Sequence, residues 1–207
     1  MDLVTIYNQA PEPIRKELLG KLGNPWYLMA RPEQIVPRQT GRHLIQAGRG
    51  WGKNRAAAEW IIDMADRYPG TAMALVGMTE AYAYNIMVDG ESGIFMLSAK
   101  FGKDIPTYDT HTGQLRWKNG STAFVRGLDS SDDLRGYNHQ FVWMDLGEDS
   151  GAVDEQVKER WAIIADGNTR GENPQIVVTA GAADGWLTRL FKDKAAAGNP
   201  YWTRVGT

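Results

Sequence analysis

Apolar residues in this chain fall into short continuous runs separated by stretches with helical spacing. The runs are His43-Leu44-Ile45-Gln46, Ala72-Met73-Ala74-Leu75-Val76-Gly77, Phe141-Val142-Trp143-Met144-Asp145 and Gln175-Ile176-Val177-Val178-Thr179. Runs this short, with no polar alternation, read as strands buried on both faces. A last strand is expected over Tyr201 to Val205. Between the runs, Ile14, Leu18, Leu19 and Leu22 recur on one side of Pro11 to Leu22, and a turn at Gly23-Asn24-Pro25 ends that helix. Arg55 to Met64 combines good helix formers with apolar residues three and four apart. Further helices are expected from about Thr79 to Val88 and over Glu155 to Ala165. Gln114 to Val125 reads as a hairpin, with Asn119-Gly120 supplying the positive-φ residues of a tight turn. Helices alternating with apolar strands predict an α/β fold, a mostly parallel sheet flanked by helices.

Composition narrows the chemistry. The 207 residues allow one good core, or one core with a small appendage. Cysteine is absent, so disulfides and thiolate metal sites are excluded. His43, His111 and His139 show no metal-ligand spacing, so an expected metal is a hard, oxygen-ligated cation such as Mg2+. No apolar run is long enough for a bilayer, and the first residues carry no signal pattern, so a cytoplasmic protein without membrane contact is expected. The net charge of -2 does not advertise nucleic-acid binding, though a local basic patch is compatible with it.

The strongest chemical signal is Ala47-Gly48-Arg49-Gly50-Trp51-Gly52-Lys53-Asn54, lying between the first strand and a helix. A strand, a glycine-rich turn and a lysine at a helix start form the context of a phosphate-binding loop. Backbone N–H groups and the helix N-terminus there favour a triphosphate, and Lys53 supplies a point charge for its outer phosphates. The pattern G-x-x-x-x-G-K-[ST] has Ala47 at its first glycine and Asn54 in place of the Mg2+-binding hydroxyl. An amide oxygen can ligate Mg2+, on a longer arm. The alternative is a glycine-rich turn that merely caps a helix.

Such a loop needs a carboxylate for the metal and a group to activate water. Asp145 ends an apolar strand at the edge where open α/β sheets place ligands, so it is the metal-associated candidate. The competing role is an N-cap for the next helix. Leu146 stands where a hydrolytic P-loop enzyme commonly carries a glutamate. On that reading a glutamate at position 146 raises turnover, unless Glu148 already does the work. Glu148 and Asp149 either turn back into the site or belong to a solvated first helical turn.

With these residues in place, the chain resembles a tailed-phage terminase large subunit. The resemblance rests on Gly48-Arg49-Gly50-Trp51-Gly52-Lys53, Arg55-Ala56-Ala57-Ala58-Glu59-Trp60, Met87-Val88-Asp89-Gly90-Glu91-Ser92-Gly93, Asp133-Leu134-Arg135-Gly136 and Val142-Trp143-Met144-Asp145, in that family's order. It covers the chain from about Trp26 onward. It implies an additional-strand, RecA-like P-loop NTPase that uses ATP and Mg2+ to package double-stranded DNA. It also implies a homo-oligomeric ring on the procapsid, with a portal protein and a small terminase subunit as partners, in the cytoplasm of an infected bacterium. The expected division is an N-terminal helical segment over 1–33 and the ATPase domain over 34–207, without the family's C-terminal nuclease domain.

The resemblance also implies roles for individual residues. Gln34 contacts adenine, while Gly48, Arg49, Gly50, Trp51, Gly52, Lys53 and Asn54 hold the nucleotide. Asn54 and Asp145 hold Mg2+, Arg49 senses phosphate, and Arg135 is a finger reaching a neighbour's ATP. Its alternative is a salt bridge to Asp132 or Asp133. The family's threonine-rich coupling segment is represented by Thr179-Ala180-Gly181-Ala182. Two other readings remain: a helicase-like P-loop motor, and an assembly module that binds nucleotide but hydrolyses it poorly. Lys118, Arg126, Arg42 and Arg38 are DNA or subunit contacts, or simply solvated surface.

Overall fold

The four apolar runs form the middle of a single sheet. The computed structural model describes residues 9–14, 25–39, 41–129, 138–148 and 154–205. Its strands are β1 (Gly41–Gln46), β2 (Ala72–Gly77), β3 (Thr107–Asp109), β4 (Gln114–Arg116), β5 (Thr122–Gly127), β6 (Phe141–Asp145), β7 (Gln175–Ala180) and β8 (Trp202–Val205). They lie in the order β3-β4-β5-β2-β6-β7-β1-β8. All pairings are parallel except β3 with β4 and β4 with β5. Strand β7 separates β1 from β6, which is the additional strand expected for this class of P-loop fold.

Side chains along the central strands alternate between two apolar layers, as the two-residue period of a strand requires. Met73, Leu75, Phe141, Trp143 and Val177 pack on one face against Ala57, Trp60, Ile61 and Met64 of helix α1 (Lys53–Arg67). Helix α2 (Ile94–Lys100) adds Ile94 and Leu97 to the same layer. Ala74, Val76, Val142, Met144, Ile176 and Val178 face the opposite way. There they meet Val157, Trp161 and Ile164 of helix α3 (Asp154–Gly167) and Leu187 and Phe191 of helix α4 (Trp186–Ala196). This parity decides which residues beyond the strand ends can reach the site.

Two local expectations are revised. The segment after β2 is not a regular helix: one α-turn, Glu80–Tyr82, runs into a π-helix over Ala83–Val88. Its longer-range bonding appears in the Asp89 N–H donating to the Tyr84 carbonyl at 2.9 Å. In the hairpin only Gly120 has positive φ, at 86°. Asn119 instead uses its side chain, donating to the Ala65 carbonyl at 2.7 Å and accepting from the Ser121 N–H at 3.0 Å. Strand β3 is a short addition that its polar sequence did not announce. The Pro11 to Leu22 helix and the Gly23-Asn24 turn fall largely outside the described residues, although Trp26 packs in the same layer as α1.

Helix α1 buries two acids, with different consequences. Asp63 accepts from the Tyr27 hydroxyl and the Arg67 Nε, both at 2.7 Å. Glu59 is 2% exposed, and its Oε1 lies 3.7 Å from the Arg55 Nε, beyond hydrogen-bond range. Burial pushes its carboxyl up to about 7, against the pull of Arg55, Lys100 and Lys103. A raised pKa favours the folded state most below the unfolded value of 4.5, and that contribution fades as pH rises through about 7. Buried His43 and His139, lowered to about 4, have the opposite slope, losing stability as pH falls below 6.5. They are common to both proteins in a Glu59→Gln comparison, so their effect cancels. Glu59→Gln is expected to stabilise by about 1–3 kcal/mol at pH 8 and little near pH 4.5. Denaturant melts at the two pH values check this, and an equal effect at both would count against it.

Candidate functional site

The site forms where β1, β6 and β7 end side by side. Ile45, Thr179 and Asp145 are in register across the three strands. The Ala47 N–H continues the ladder to the Ala180 carbonyl at 3.1 Å, after which the chain leaves the sheet through Gly48 to Gly52. Gly52, the residue before α1, has φ of 90°, and a Cβ there would lie 2.8 Å from the Gln34 Nε2. Only glycine meets both demands at this position. The helix it opens has no side-chain cap at Gly52 and no acid in its first turn. Its first N–H groups therefore face the cleft as anion donors.

Gln34 and Arg31 brace this loop from beneath. Gln34 is 7% exposed, its Nε2 donates to the Trp51 carbonyl at 2.9 Å, and its Oε1 accepts from the Arg31 N–H at 3.1 Å. The Arg31 guanidinium donates to the same Trp51 carbonyl at 2.8 Å and lies 5.1 Å from the Trp51 ring centre. Both ends of the Gln34 amide are thus engaged by protein groups. Trp51 is half-buried and packs on the first apolar layer, with its ring covered by Arg31.

Asp145 is the electrostatic centre. It is fully buried, and desolvation raises its carboxyl above the usual range, opposed by hydrogen bonds and by the Lys53 charge. Its Oδ1 accepts from the Thr179 hydroxyl at 2.8 Å and the Gly147 N–H at 3.3 Å. Its Oδ2 accepts from the Asn54 Nδ2 at 2.9 Å and the Tyr82 hydroxyl at 3.0 Å. Thr179 is oriented in turn by the Trp143 Nε1, which donates to its oxygen at 2.9 Å. Asp145 shares the parity of Trp143 and so faces α1. Its contact with Asn54 sets it beside the first turn of α1.

Leu146 has the opposite parity. It is 1% exposed and packs with Val142 and Met144 in the second layer. The chain then reverses at Gly147, whose φ is 65°, and Glu148 comes back to the loop. Its Oε1 accepts from the Lys53 Nζ at 2.5 Å, the lysine side chain being 9% and the glutamate 38% exposed. The acid beside the lysine is therefore Glu148, and the position after Asp145 is a core position. Gly181 lets the two strand ends approach, because a Cβ there would sit 2.6 Å from the Glu148 Cα.

Gly48, Arg49, Gly50, Gly52 to Arg55, Ser92 and Glu148 line a cleft of about 340 Å³. Arg49 is exposed at its rim. The oxygen-rich pair Asn54 and Asp145 suits a hard cation, and the Asn54 Oδ1 is buried with no hydrogen-bond partner among the described residues. No cluster of three or more His, Asp or Glu side chains that could hold a metal occurs among the described residues. Arg135, Asp132, Asp133 and Asp149 lie outside the described residues. Lys118 pairs with Asp104 at 3.1 Å, and Arg126 donates to the Gly113, Val125 and Thr112 carbonyls. Arg42 and Arg38 lie over the rings of Trp202 and Tyr27. Tyr82 was missed from sequence because its segment read as an ordinary helix. Its place just past the end of a central strand was the available signal.

The sequence profile "Terminase large subunit, T4likevirus-type, N-terminal" matches residues 44–195. No curated protein matches the chain by sequence. Among solved structures, the ATPase domain of the Thermus phage P74-26 large terminase superposes with a TM-score of 0.58 at 18% identity, over 78% of this chain and 68% of that one. The large terminase of bacteriophage HK97 gives 0.59 at 15% identity, over 81% of this chain and 35% of that one. The large terminase of a thermophilic bacteriophage, in complex with ADP, gives 0.61 at 12% identity, over 91% of this chain and 44% of that one. At these identities the likeness establishes the fold, and the chain spans less than half of the last two proteins. Among the described residues no helix is long and apolar enough to cross a membrane.

Proposed function

The chain belongs to the terminase large subunit family, matching its N-terminal part, and from that premise we propose that it is an ATP-hydrolysing motor domain for packaging double-stranded viral DNA. One observation carries the reading. Lys53, Asn54 and Glu148 line one cleft at the C-terminal edge of the sheet, with Asp145 buried behind Asn54, through contacts that span more than 90 residues of sequence.

In this reaction water attacks the γ-phosphorus and the bond to the bridging oxygen of ADP breaks, releasing phosphate. The first N–H groups of α1 and the Lys53 ammonium receive the phosphate oxygens. Arg49, at the rim, is placed to add charge on the outer phosphate. Glu148 takes the proton of the attacking water. In this structure it neutralises Lys53, so a triphosphate competes with it for the ammonium and leaves its carboxylate available as a base. Asn54 and Asp145 would hold Mg2+, which supplies charge neutralisation on the phosphates when bound. Leu146 fills the core and takes no part. Arg135 is assigned, on the resemblance alone, to a neighbour's ATP in a homo-oligomeric ring, with the portal protein and small subunit as further partners.

Phosphate release from ATP, followed with and without double-stranded DNA over a range of protein concentrations, tests the reading. A motor predicts Mg2+-dependent turnover that DNA stimulates and that rises with assembly. Nucleotide binding without turnover under every condition would favour the assembly-module reading, which the Asn54 amide in place of a hydroxyl supports. Absence of nucleotide binding would discard both.

A further inference from the structure

The donors around Asp145 come from elements of different character. Thr179 and Gly147, on Oδ1, belong to β7 and to the turn after β6, and Thr179 is itself fixed by Trp143. Asn54, on Oδ2, sits in the first turn of α1 and is the second proposed cation ligand. Tyr82, also on Oδ2, comes from neither the phosphate loop nor a strand. It closes the Glu80–Tyr82 turn and leads directly into the π-helix Ala83–Val88. π-Helical turns concentrate at functional sites because they trade regular bonding for a particular side-chain placement.

The tyrosine is built into its place. A Cβ on Gly77 would lie 2.9 Å from both the Tyr82 Cδ1 and the Ala83 N, so glycine at the end of β2 makes the slot for the ring. The Tyr82 hydroxyl is a neutral donor to the Asp145 Oδ2. Tyr82 also borders a cavity of about 450 Å³, with Arg49, Ile86 and Glu148 among its other lining residues. Ile86, on the π-helix, is 38% exposed.

We propose that Tyr82 is a positioning residue for the Asp145 carboxylate, linking occupancy of the cation–nucleotide site to the Glu80–Val88 segment. The inference rests on the reading that nucleotide and a divalent cation bind here. A carboxylate has about four acceptor sites, and Asp145 has donors at four. A cation needs one of these sites. Asn54 is the donor that gives way, because its own unpartnered Oδ1 can serve the same cation. Tyr82 and Thr179 then hold the two oxygens from different sides, and the load on Oδ2 passes to the segment that carries Tyr82.

The test uses the full chain and Tyr82→Phe, which keeps the ring in its slot and removes only the hydroxyl. A fluorescent ATP analogue is titrated in EDTA and then at increasing Mg2+, and amide hydrogen exchange is followed over Glu80 to Val88. Metal-free affinity is expected to agree within about two-fold between the proteins. The Mg2+ concentration giving half of the affinity gain should rise at least about three-fold in the variant. Mg2+ and nucleotide together should slow exchange in the segment in the wild type and leave the variant unchanged. The same Mg2+ midpoint and exchange response in both proteins would make Tyr82 a packing residue and overturn the proposal. Should the variant melt early, the wild-type exchange measurement decides alone: no slowing in Glu80 to Val88 overturns it. Failure of the wild-type protein to bind the analogue discards the nucleotide reading instead.

Discussion

Lys53→Ala is expected to weaken ATP binding by roughly 30- to 5,000-fold, corresponding to about 2–5 kcal/mol for loss of one partner in a desolvated charge interaction. The lysine is 8% exposed at the mouth of α1, so its charge acts on the phosphates with little competition from water. Without nucleotide the substitution is mild. The remaining partner, Glu148, is 38% exposed and can be hydrated once unpaired. The variant should therefore melt close to wild type while losing affinity. That contrast separates a binding defect from a folding defect. Titration of a fluorescent ATP analogue, with a thermal melt of each protein, makes the measurement, and equal affinities would remove the phosphate-loop assignment.

Glu148→Gln is expected to lower turnover ~10²–10⁴-fold without weakening ATP binding, because a positioned base contributes in the transition state and in the ground state only competes with the triphosphate for Lys53. Its contrast is Leu146→Glu. That substitution puts a carboxylate among Val142, Met144 and the other side chains of the second apolar layer. It should cost ~3–5 kcal/mol of stability, the scale for an uncompensated buried charge, and should not raise turnover. Single-turnover phosphate release and urea melts on both variants provide the comparison. Faster hydrolysis in Leu146→Glu, with activity retained in Glu148→Gln, would return the catalytic acid to position 146.

The strands were legible because strands buried on both faces must be continuously apolar, so β2 and β6 were delimited to the residue and β7 to within one. The phosphate loop was legible because close approach to an anion calls for small residues followed by a lysine at a helix start. These are local demands, written in adjacent residues. The π-helix after β2 was not legible. Its residues suit a helix, and the altered bonding appears only where Tyr82 and Ala83 pass close to Gly77. The Asn119 turn likewise depends on an acceptor at Ala65, 54 residues away.

For the site, the chain alone determined the lysine, the loop and the buried carboxylate at the end of β6, together with the family to which they belong. Only the tertiary structure decided between Leu146 and Glu148. Adjacent residues on a strand point to opposite faces, and which face meets α1 is set by the order of strands in the sheet. It also decided that Gln34 braces Trp51, and that Tyr82 and Thr179 share Asp145 with Asn54. These groups are separated by tens of residues in the chain. What brings Asn54, Tyr82 and Thr179 within 3.0 Å of one carboxylate is the register of β1, β2, β6 and β7, a property of the assembled sheet.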